Sequence, residues 1–523
     1  METTETASAD FAESLLRLLH SGSVKDAKDL AQVKRKLCQR LGMDDIPKNG
    51  EALAMLDGPD REKFYRIFRS KPVRVLSGVN VVALMTKPYN CPHGICLFCP
   101  GGTSFGTPQS YTGFEPAARR AAANAYDPYR QTVARLDHYL FMGYRPQKLE
   151  VIFIGGTFTT LPKDYRYSFA SEVYRAMNEF YGMKTIGDLE VQKAVNETAA
   201  VRCVALAVET KPERCGEEDV RQLMEIGATR VEMGVQSTFD DVLLRNNRGH
   251  TIKDVVDTTR RLKDNAYKVD YHVMLNLPGS DVDRDRETIR NIYHSDEFRP
   301  DAIKIYPTLV IKGTGLYSLW KRGEHTVYPI DDVVDIIAEA EANAPRWLRI
   351  MRVERDIPSN LIEDGVKVTN LRQLVQERLD RTGRKAADIR SREVGHVTSM
   401  KMRDVGMMRE DYRSVSGDEI FLSFEDSAND ALLGFIRLRI PDGGKEGLVR
   451  ELHIYGEAIN IGNTDKTAQQ HKGLGRELLA EAERIARHEY SLTKVKVISG
   501  VGVREYYRKF GYSLEKGYMA KQV

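Results

Sequence analysis

Apolar residues recur at helical spacing near the start of the chain. Phe11, Leu15, Leu16, Leu18 and Leu19 make one stripe, and Leu30, Val33, Leu37 and Leu41 make another. This predicts helices within 10–69. From residue 73 the period changes. Apolar, β-rich runs at Val79–Met85, Leu149–Ile154, Val201–Val208, Arg230–Val235, Val269–Leu277 and Ile303–Leu309 alternate with helical stretches such as Pro116–Met142 and Ile252–Asn265. Strand–helix units in series predict a parallel sheet with right-handed crossovers, open or closed into a barrel, with ligand chemistry at the C-terminal strand ends.

Beyond residue 310 the pattern is mixed: Asp331–Ala342 and Leu371–Arg381 read as helical and Trp347–Val353 as strand. The last stretch reads as a separate unit. It has antiparallel strand candidates Glu419–Phe424, Ala431–Ile440 and Leu448–Ile459, a long helix Leu474–Glu489, a strand Lys494–Ile498 and a short helix Val503–Phe510. The expected fold class is α/β multidomain. It divides into an N-terminal helical region (1–74), a parallel α/β region (75–315), a linker (316–390) and a C-terminal α+β domain (391–523).

A chain of 523 residues has room for several cores at roughly 150 residues per domain. Mean hydropathy is −0.43, and no 18-residue apolar run predicts a membrane span. The N-terminus lacks the basic and apolar segments of a secretory signal, so a cytoplasmic protein is expected. A net charge of +3 excludes a histone-like polycation and an acidic tail protein. The surplus is local. Residues 11–75 carry 14 basic and 9 acidic groups, 76–390 carry 43 of each, and 391–523 carry 21 against 20. Lys34, Arg35, Lys36, Arg69 and Lys71 are therefore the candidate nucleic-acid contacts, against the alternative of an ordinary solvated helix face.

Three of the six cysteines form Cys91-Pro-His-Gly-Ile-Cys96-Leu-Phe-Cys99, directly after the first predicted strand. A compact triplet in a large chain without a signal favours a metal site over disulfides. Three thiolates suit a [4Fe–4S] cluster with one iron open. Structural zinc would need a fourth ligand, for which His93 is the nearby candidate. Gly155-Gly156-Thr157, Glu209 and Gln236 stand at the ends of the next three strands, and Arg248 follows. Gln470-His-Lys-Gly473-Leu-Gly475 precedes a helix, where backbone N–H groups cradle a pyrophosphate.

These motifs carry a family resemblance. CPHGICLFCPGGTSFGTPQSYTGFEP (91–116), IGGTF (154–158), TRVEMGVQS (229–237), NRGHT (247–251), KIYPTLVIKGTGLY (304–317), RVERDIPS (352–359) and SREVGH (391–396) resemble the catalytic subunit of Elongator. The similarity runs from about residue 75 to the C-terminus, although C-x4-C-x2-C departs from the usual C-x3-C-x2-C of radical S-adenosylmethionine (SAM) enzymes. The stretch from Arg450 to Tyr512 resembles the GNAT acetyltransferase fold.

The resemblance implies a partial (βα)6 radical-SAM barrel joined to a GNAT domain. Cys91, Cys96 and Cys99 would ligate the cluster. Gly155, Gly156, Thr157, Glu209, Gln236 and Arg248 would bind SAM. Acetyl-CoA would meet the main chain of Glu451, Leu452, His453 and Ile454, then Gln470, Gly473, Leu474, Gly475 and Arg476 at the pyrophosphate, with Tyr507 near the thioester sulfur and Lys148 as a further contact. Glu451 or His453 is the candidate base. The implied reaction installs a carboxymethyl group at C5 of the wobble uridine. The partner would be the anticodon stem-loop of tRNA, and the chain would act as a monomer or homodimer. A lysine acetyltransferase using only the GNAT half is the alternative, and it leaves the cysteine triplet unexplained. Relatives often carry cysteines near the SREVG segment. This chain has none after Cys215, so no structural zinc is expected.

Overall fold

A computed structural model of the chain describes residues 2–43, 45–68, 78–394, 404–455 and 473–523. Arg69, Lys71 and Gln470 lie outside these residues. Four N-terminal helices, Glu2–His20, Ala27–Leu41, Asn49–Ala54 and Gly58–Phe68, bury the predicted stripe, including Phe11, Leu15, Leu30 and Leu37, against Phe64 and Phe68. The second helix starts where Asp26 accepts from the N–H groups of Lys28 and Asp29. Lys34 corrects the expectation of a three-residue basic face. Its ammonium is buried, donating to the Pro47 carbonyl at 2.6 Å and Asn49 Oδ1 at 2.7 Å. Burial pulls its pKa down. Arg35 and Lys36 alone of the three face solvent.

The central sheet is parallel and in sequence order. Its strands are β1 (Val79–Met85), β2 (Lys148–Ile154), β3 (Arg202–Thr210), β4 (Arg230–Gln236), β5 (Lys268–Leu275) and β6 (Ala302–Pro307). The short β7 (Val310–Ile311) pairs with β9 (Ile362–Asp364), while β8 (Arg349–Arg352) adds a seventh parallel strand beside β6. The stretch read as a linker thus contains an integral strand of the sheet. Helices cover the outer face, as parallel sheets require. The expected helix 116–142 is two helices, Pro116–Ala123 and Pro128–Phe141, because Ala125 and Tyr126 turn at φ 52° and 57° and Pro128 restarts the helix.

The C-terminal sheet comprises β10 (Val405–Arg413), β11 (Gly417–Asp426), β12 (Ala431–Pro441), β13 (Gly447–Ile454), β14 (Lys494–Val497), β15 (Ser513–Glu515) and β16 (Tyr518–Gln522). The helix Leu474–His488 covers it. β10, β15 and β16 were not anticipated. β10 is exposed along most of its length and lacks the apolar alternation that would mark it in sequence.

A buried ionic joint holds this sheet against the N-terminal ends of β5 and β6. Arg450 donates to both oxygens of Asp301 at 2.6 Å, to Glu419 Oε2 at 2.7 and 3.1 Å and to the Tyr267 carbonyl at 2.9 Å. Lys263, Arg437 and Arg439 complete the cluster. Among the described residues, no helix is long and apolar enough to cross a membrane.

Candidate functional site

β1 ends at Met85 and the chain runs into the segment carrying Cys91, Cys96 and Cys99. All three line a cavity of about 220 Å³ at the C-terminal ends of the strands, together with Gly156, Thr157, Glu209, Gln236 and Arg248. The fold thus brings together the residues picked at successive strand ends. Gln109 braces the cysteine segment: its Oε1 accepts from the Cys91 N–H at 2.6 Å and its Nε2 donates to the Gly94 carbonyl at 3.2 Å.

Donors surround the sulfurs. The Ser110 N–H donates to Cys99 Sγ at 3.1 Å, Arg248 Nη1 donates to Cys96 Sγ at 3.2 Å, and Thr157 Oγ1 is 3.5 Å from Cys91 Sγ. Such donors favour thiolates. Burial pushes the Cys99 thiol up to about 11 and raises Cys91, so metal ligation releases protons here. His93 Nε2 stands 3.2 Å from Cys96 Sγ, and burial, reinforced by Lys211 and Arg248, lowers its pKa to about 4.

The two glycines of the second strand end do different things. At Gly155, φ is +131° and a Cβ would stand 2.3 Å from Thr86 Oγ1, so packing against β1 demands glycine. At Gly156 a Cβ would enter the cavity, 3.9 Å from Cys91 Sγ. Gln236 Oε1 is buried in the cavity wall with no partner, on a residue held at φ 73°. Three thiols ringed by donors, a cavity wall without a Cβ and an unpaired buried acceptor fit a cysteine-held [4Fe–4S] cluster with SAM beside it. Arg248 Nη2 is bonded to the Gly234 carbonyl at 2.6 Å.

The inner face of the sheet is charged, where parallel barrels are usually filled by branched apolar side chains. Arg230 Nη2 donates to Glu232 Oε1 at 2.9 Å, Glu232 Oε2 is 3.1 Å from His272 Nε2, and Lys304 pairs with Glu232. These cations hold Glu232 well below the usual carboxylate range despite burial. Burial pushes Asp270 upward, 3.2 Å from Arg230 Nε. Glu209, Glu232 and His272 bring ligand atoms within 4.8 Å of one another, with the Lys304 ammonium beside them. Apart from Glu209, these residues escaped the sequence reading. Their signal is the polar alternation Arg230-Val-Glu232 and Lys268-Val-Asp270-Tyr-His272 inside strands expected to be buried on both faces.

The second site lies in the C-terminal domain. β13 pairs with β14 only over Gly447–Val449, so the two strands part from Arg450 onward. Glu451, Leu452, His453 and Ile454 lie along that parting, and Tyr507 is buried nearby in the same core. His453 lies parallel to Phe435 at 6.1 Å and tilts against Tyr455 at 4.4 Å, and burial lowers its pKa. Both oxygens of Glu451 are taken, by Lys268 at 2.9 Å and Arg437 at 2.9 Å, and against burial these cations hold it at about 2. Gly473, at φ +85°, starts the helix Leu474–His488, with Arg476 exposed in its first turn. Gly475 has a packing reason as well, since a Cβ there would meet Tyr506 Oη at 2.7 Å. Gly473 and the parted strands fit the pyrophosphate and arm of acetyl-CoA. Lys148 opens β2 opposite Arg202, which itself packs on Gly502. Burial lowers the Lys148 pKa.

Comparison with known proteins agrees with this two-site layout. The ELP3 N-terminal domain model matches residues 5–76, the Radical SAM superfamily 85–292, the Radical_SAM C-terminal domain 300–381 and the Acetyltransferase (GNAT) family 388–512. The radical SAM match implies a [4Fe–4S] cluster and SAM, and the GNAT match implies acetyl-CoA. A tRNA uridine(34) acetyltransferase of Methanocaldococcus jannaschii is 44% identical, over 97% of this chain and 96% of that one. Elongator complex protein 3 of Schizosaccharomyces pombe is 40% identical, over 98% and 97%. The solved structure of Methanocaldococcus infernus Elp3 with residues 1–46 deleted superposes with a TM-score of 0.76 at 39% identity, covering 86% of this chain and all of that one. Identities of 44% and 40% over 97% and 98% of the chain show its family, and the chain belongs to the Elp3 family of Elongator.

Proposed function

We propose that the chain modifies uridine 34 of tRNA, installing a carboxymethyl group at C5 with SAM and acetyl-CoA as cofactors. The observation that carries this reading is the union of the two sites in one body. The strand bearing Glu451 and His453 is ion-paired to Lys268 at one end of a barrel whose other end carries the three cysteines. The names of the M. jannaschii and S. pombe relatives support the substrate.

When bound, the cluster and SAM supply a 5′-deoxyadenosyl radical, and acetyl-CoA supplies the two-carbon unit. The chain's residues hold and orient. Cys91, Cys96 and Cys99 hold the cluster, with Arg248 and the Ser110 N–H supporting the sulfurs. Thr157, Glu209 and the unpaired Gln236 Oε1 offer polar contacts to SAM. His453, held neutral by burial, is the base that takes a proton from water at the thioester. Glu451, with both oxygens occupied, is a fixed anion beside it. Tyr507, buried in the same core, would lie near the thioester sulfur, and Gly473 to Arg476 would meet the pyrophosphate. Gln470 and Lys148 are further acetyl-CoA contacts, and Arg35 and Lys36 contact tRNA phosphates together with Arg69 and Lys71.

The test is anaerobic reconstitution with iron, sulfide, SAM, acetyl-CoA, a reductant and bulk tRNA, followed by nucleoside mass spectrometry. Carboxymethyluridine is expected with the wild type and lost with Cys96→Ala. Its absence from the wild type would overturn the reading. Its persistence in Cys96→Ala would leave only the acetyltransferase half active.

A further inference from the structure

Among the described residues, five aromatic side chains are at least 36% exposed, and three of them, Tyr89, Phe105 and Phe114, belong to the segment that carries the cysteines. Phe105 is 71% exposed, Phe114 57% and Ile95, between Cys91 and Cys96, 59%. Burying such rings is worth kilocalories, so their presentation to solvent on the segment that lines the cavity marks a contact surface.

They are held rigidly. Thr103 donates to Asn90 Oδ1 at 2.8 Å, which ties the Tyr89 stretch to the short turn Thr103–Phe105. Gly102 and Thr107 form a bridge across that turn, and Tyr126 Oη donates to the Gly106 carbonyl at 2.9 Å. A Cβ on Gly113 would stand 3.8 Å from Thr107, which places Phe114 beside the same turn. The segment that carries the rings also lines the cavity, through Cys91, Gln109, Ser110, Tyr111 and Glu115, the last next to Phe114.

The charge around them selects the partner. From Thr86 to Arg119 the one acidic residue is Glu115. It is buried, with its carboxylate accepting from Thr112 and from the Gly113 N–H. Lys87 and Arg119 are exposed. The exposed carboxylate of the cavity lining, Asp356, is ion-paired with Arg352, and a segment with exposed rings and cations and no exposed acid of its own suits unpaired nucleotides, whose bases stack on aromatic faces while their phosphates meet cations. A lysine-bearing peptide would find no exposed carboxylate within residues 86–119.

We infer that Phe105 and Phe114 are stacking platforms for the unpaired bases that flank the target uridine, so that the cysteine segment itself reads the single-stranded loop of the RNA. This rests on the tRNA reading proposed above.

The test uses the full chain and two labelled RNAs, an anticodon stem-loop and the same stem closed as a blunt duplex. Binding is followed by fluorescence anisotropy over a salt series. Phe105→Ala and Phe114→Ala are each expected to weaken stem-loop binding about 5- to 150-fold, from the usual worth of one stacked base. The slope of log affinity against log salt should not change, because no phosphate contact is lost. Duplex binding should not change, and Phe105→Trp should retain stem-loop binding. Wild-type affinity in both alanine variants overturns the inference, as does an equal loss for stem-loop and duplex. Loss of binding to a lysine-rich peptide with RNA binding intact would reassign the rim to a protein partner. A wild-type chain that binds neither RNA overturns the tRNA reading itself, whereas wild-type binding with unaffected variants overturns only the stacking.

Discussion

Replacing Arg450 with methionine removes the centre of the ionic joint between the two catalytic domains. All five N–H groups of its guanidinium are engaged, two on Asp301, two on Glu419 and one on the Tyr267 carbonyl. Asp301 is 0% exposed and Glu419 1%. Breaking a buried pair from one side costs about 3–5 kcal/mol, because the remaining charge stays buried. Lys263 remains 3.4 Å and Arg439 3.1 Å from Glu419, so the lower end applies, about 3 kcal/mol. That is a factor of roughly 100 in an opening equilibrium.

A chain of several domains has no single two-state melting transition, so the readout is native-state hydrogen exchange. Amides at the starts of β5 and β6 and along β13 should lose protection by about that factor. The Val269 N–H, which donates to Asp301 Oδ2 at 2.8 Å, reports directly. Arg450→Lys keeps the charge but has three donors, and should fall between. Arg450→Met combined with Asp301→Asn removes the carboxylate left without its main partner, while Glu419 keeps Lys263 and Arg439, and should recover part of the loss. Equal protection in the single and double variants would show that uncompensated charge is not what the joint holds in check.

Three further outcomes are expected. Glu451 lies at about 2 in the folded chain against 4.5 ordinarily, so its stabilisation is full above pH 4.5 and is lost as pH falls toward 2. At full size this is about 3 kcal/mol. β13 protection should drop over that window in the wild type and much less in Glu451→Gln, and parallel curves would refute the assignment. Cys96→Ser should abolish the iron–sulfur absorbance and SAM cleavage after anaerobic reconstitution while leaving the far-ultraviolet circular dichroism unchanged. A full cluster signal would remove Cys96 from the ligand set. Arg35→Glu with Lys36→Glu should weaken tRNA binding and make its salt slope shallower by about 2, whereas Lys34→Ala should loosen the N-terminal helices and leave the slope unchanged. A slope change in Lys34→Ala would place its ammonium on RNA after all.

The order and type of most elements were legible in sequence, because period and punctuation act locally. β1 was bounded to the residue, and β2 to β6 to within about two at each end, since their apolar runs end in turn residues. The cysteine triplet and the glycine loop before Leu474 were legible for the same reason, each being a short segment whose chemistry lies in its own spacing. Lys34 was not legible. Its sequence neighbours are basic, but the carbonyl and amide that bury it come from residues 47 and 49 on the next turn of chain. β8 looked like part of a linker because its partner, β6, lies across a helical excursion.

The sequence by itself determined the series of strand–helix units, the cysteine segment and the family. The tertiary structure alone decided what the charges do. Asp301 and Arg450 are far apart in the chain and indistinguishable from surface residues until folding removes water from both. Only then does one carboxylate become the anchor between two candidate sites, because the energy of a charge depends on its surroundings, and those are assembled from distant segments.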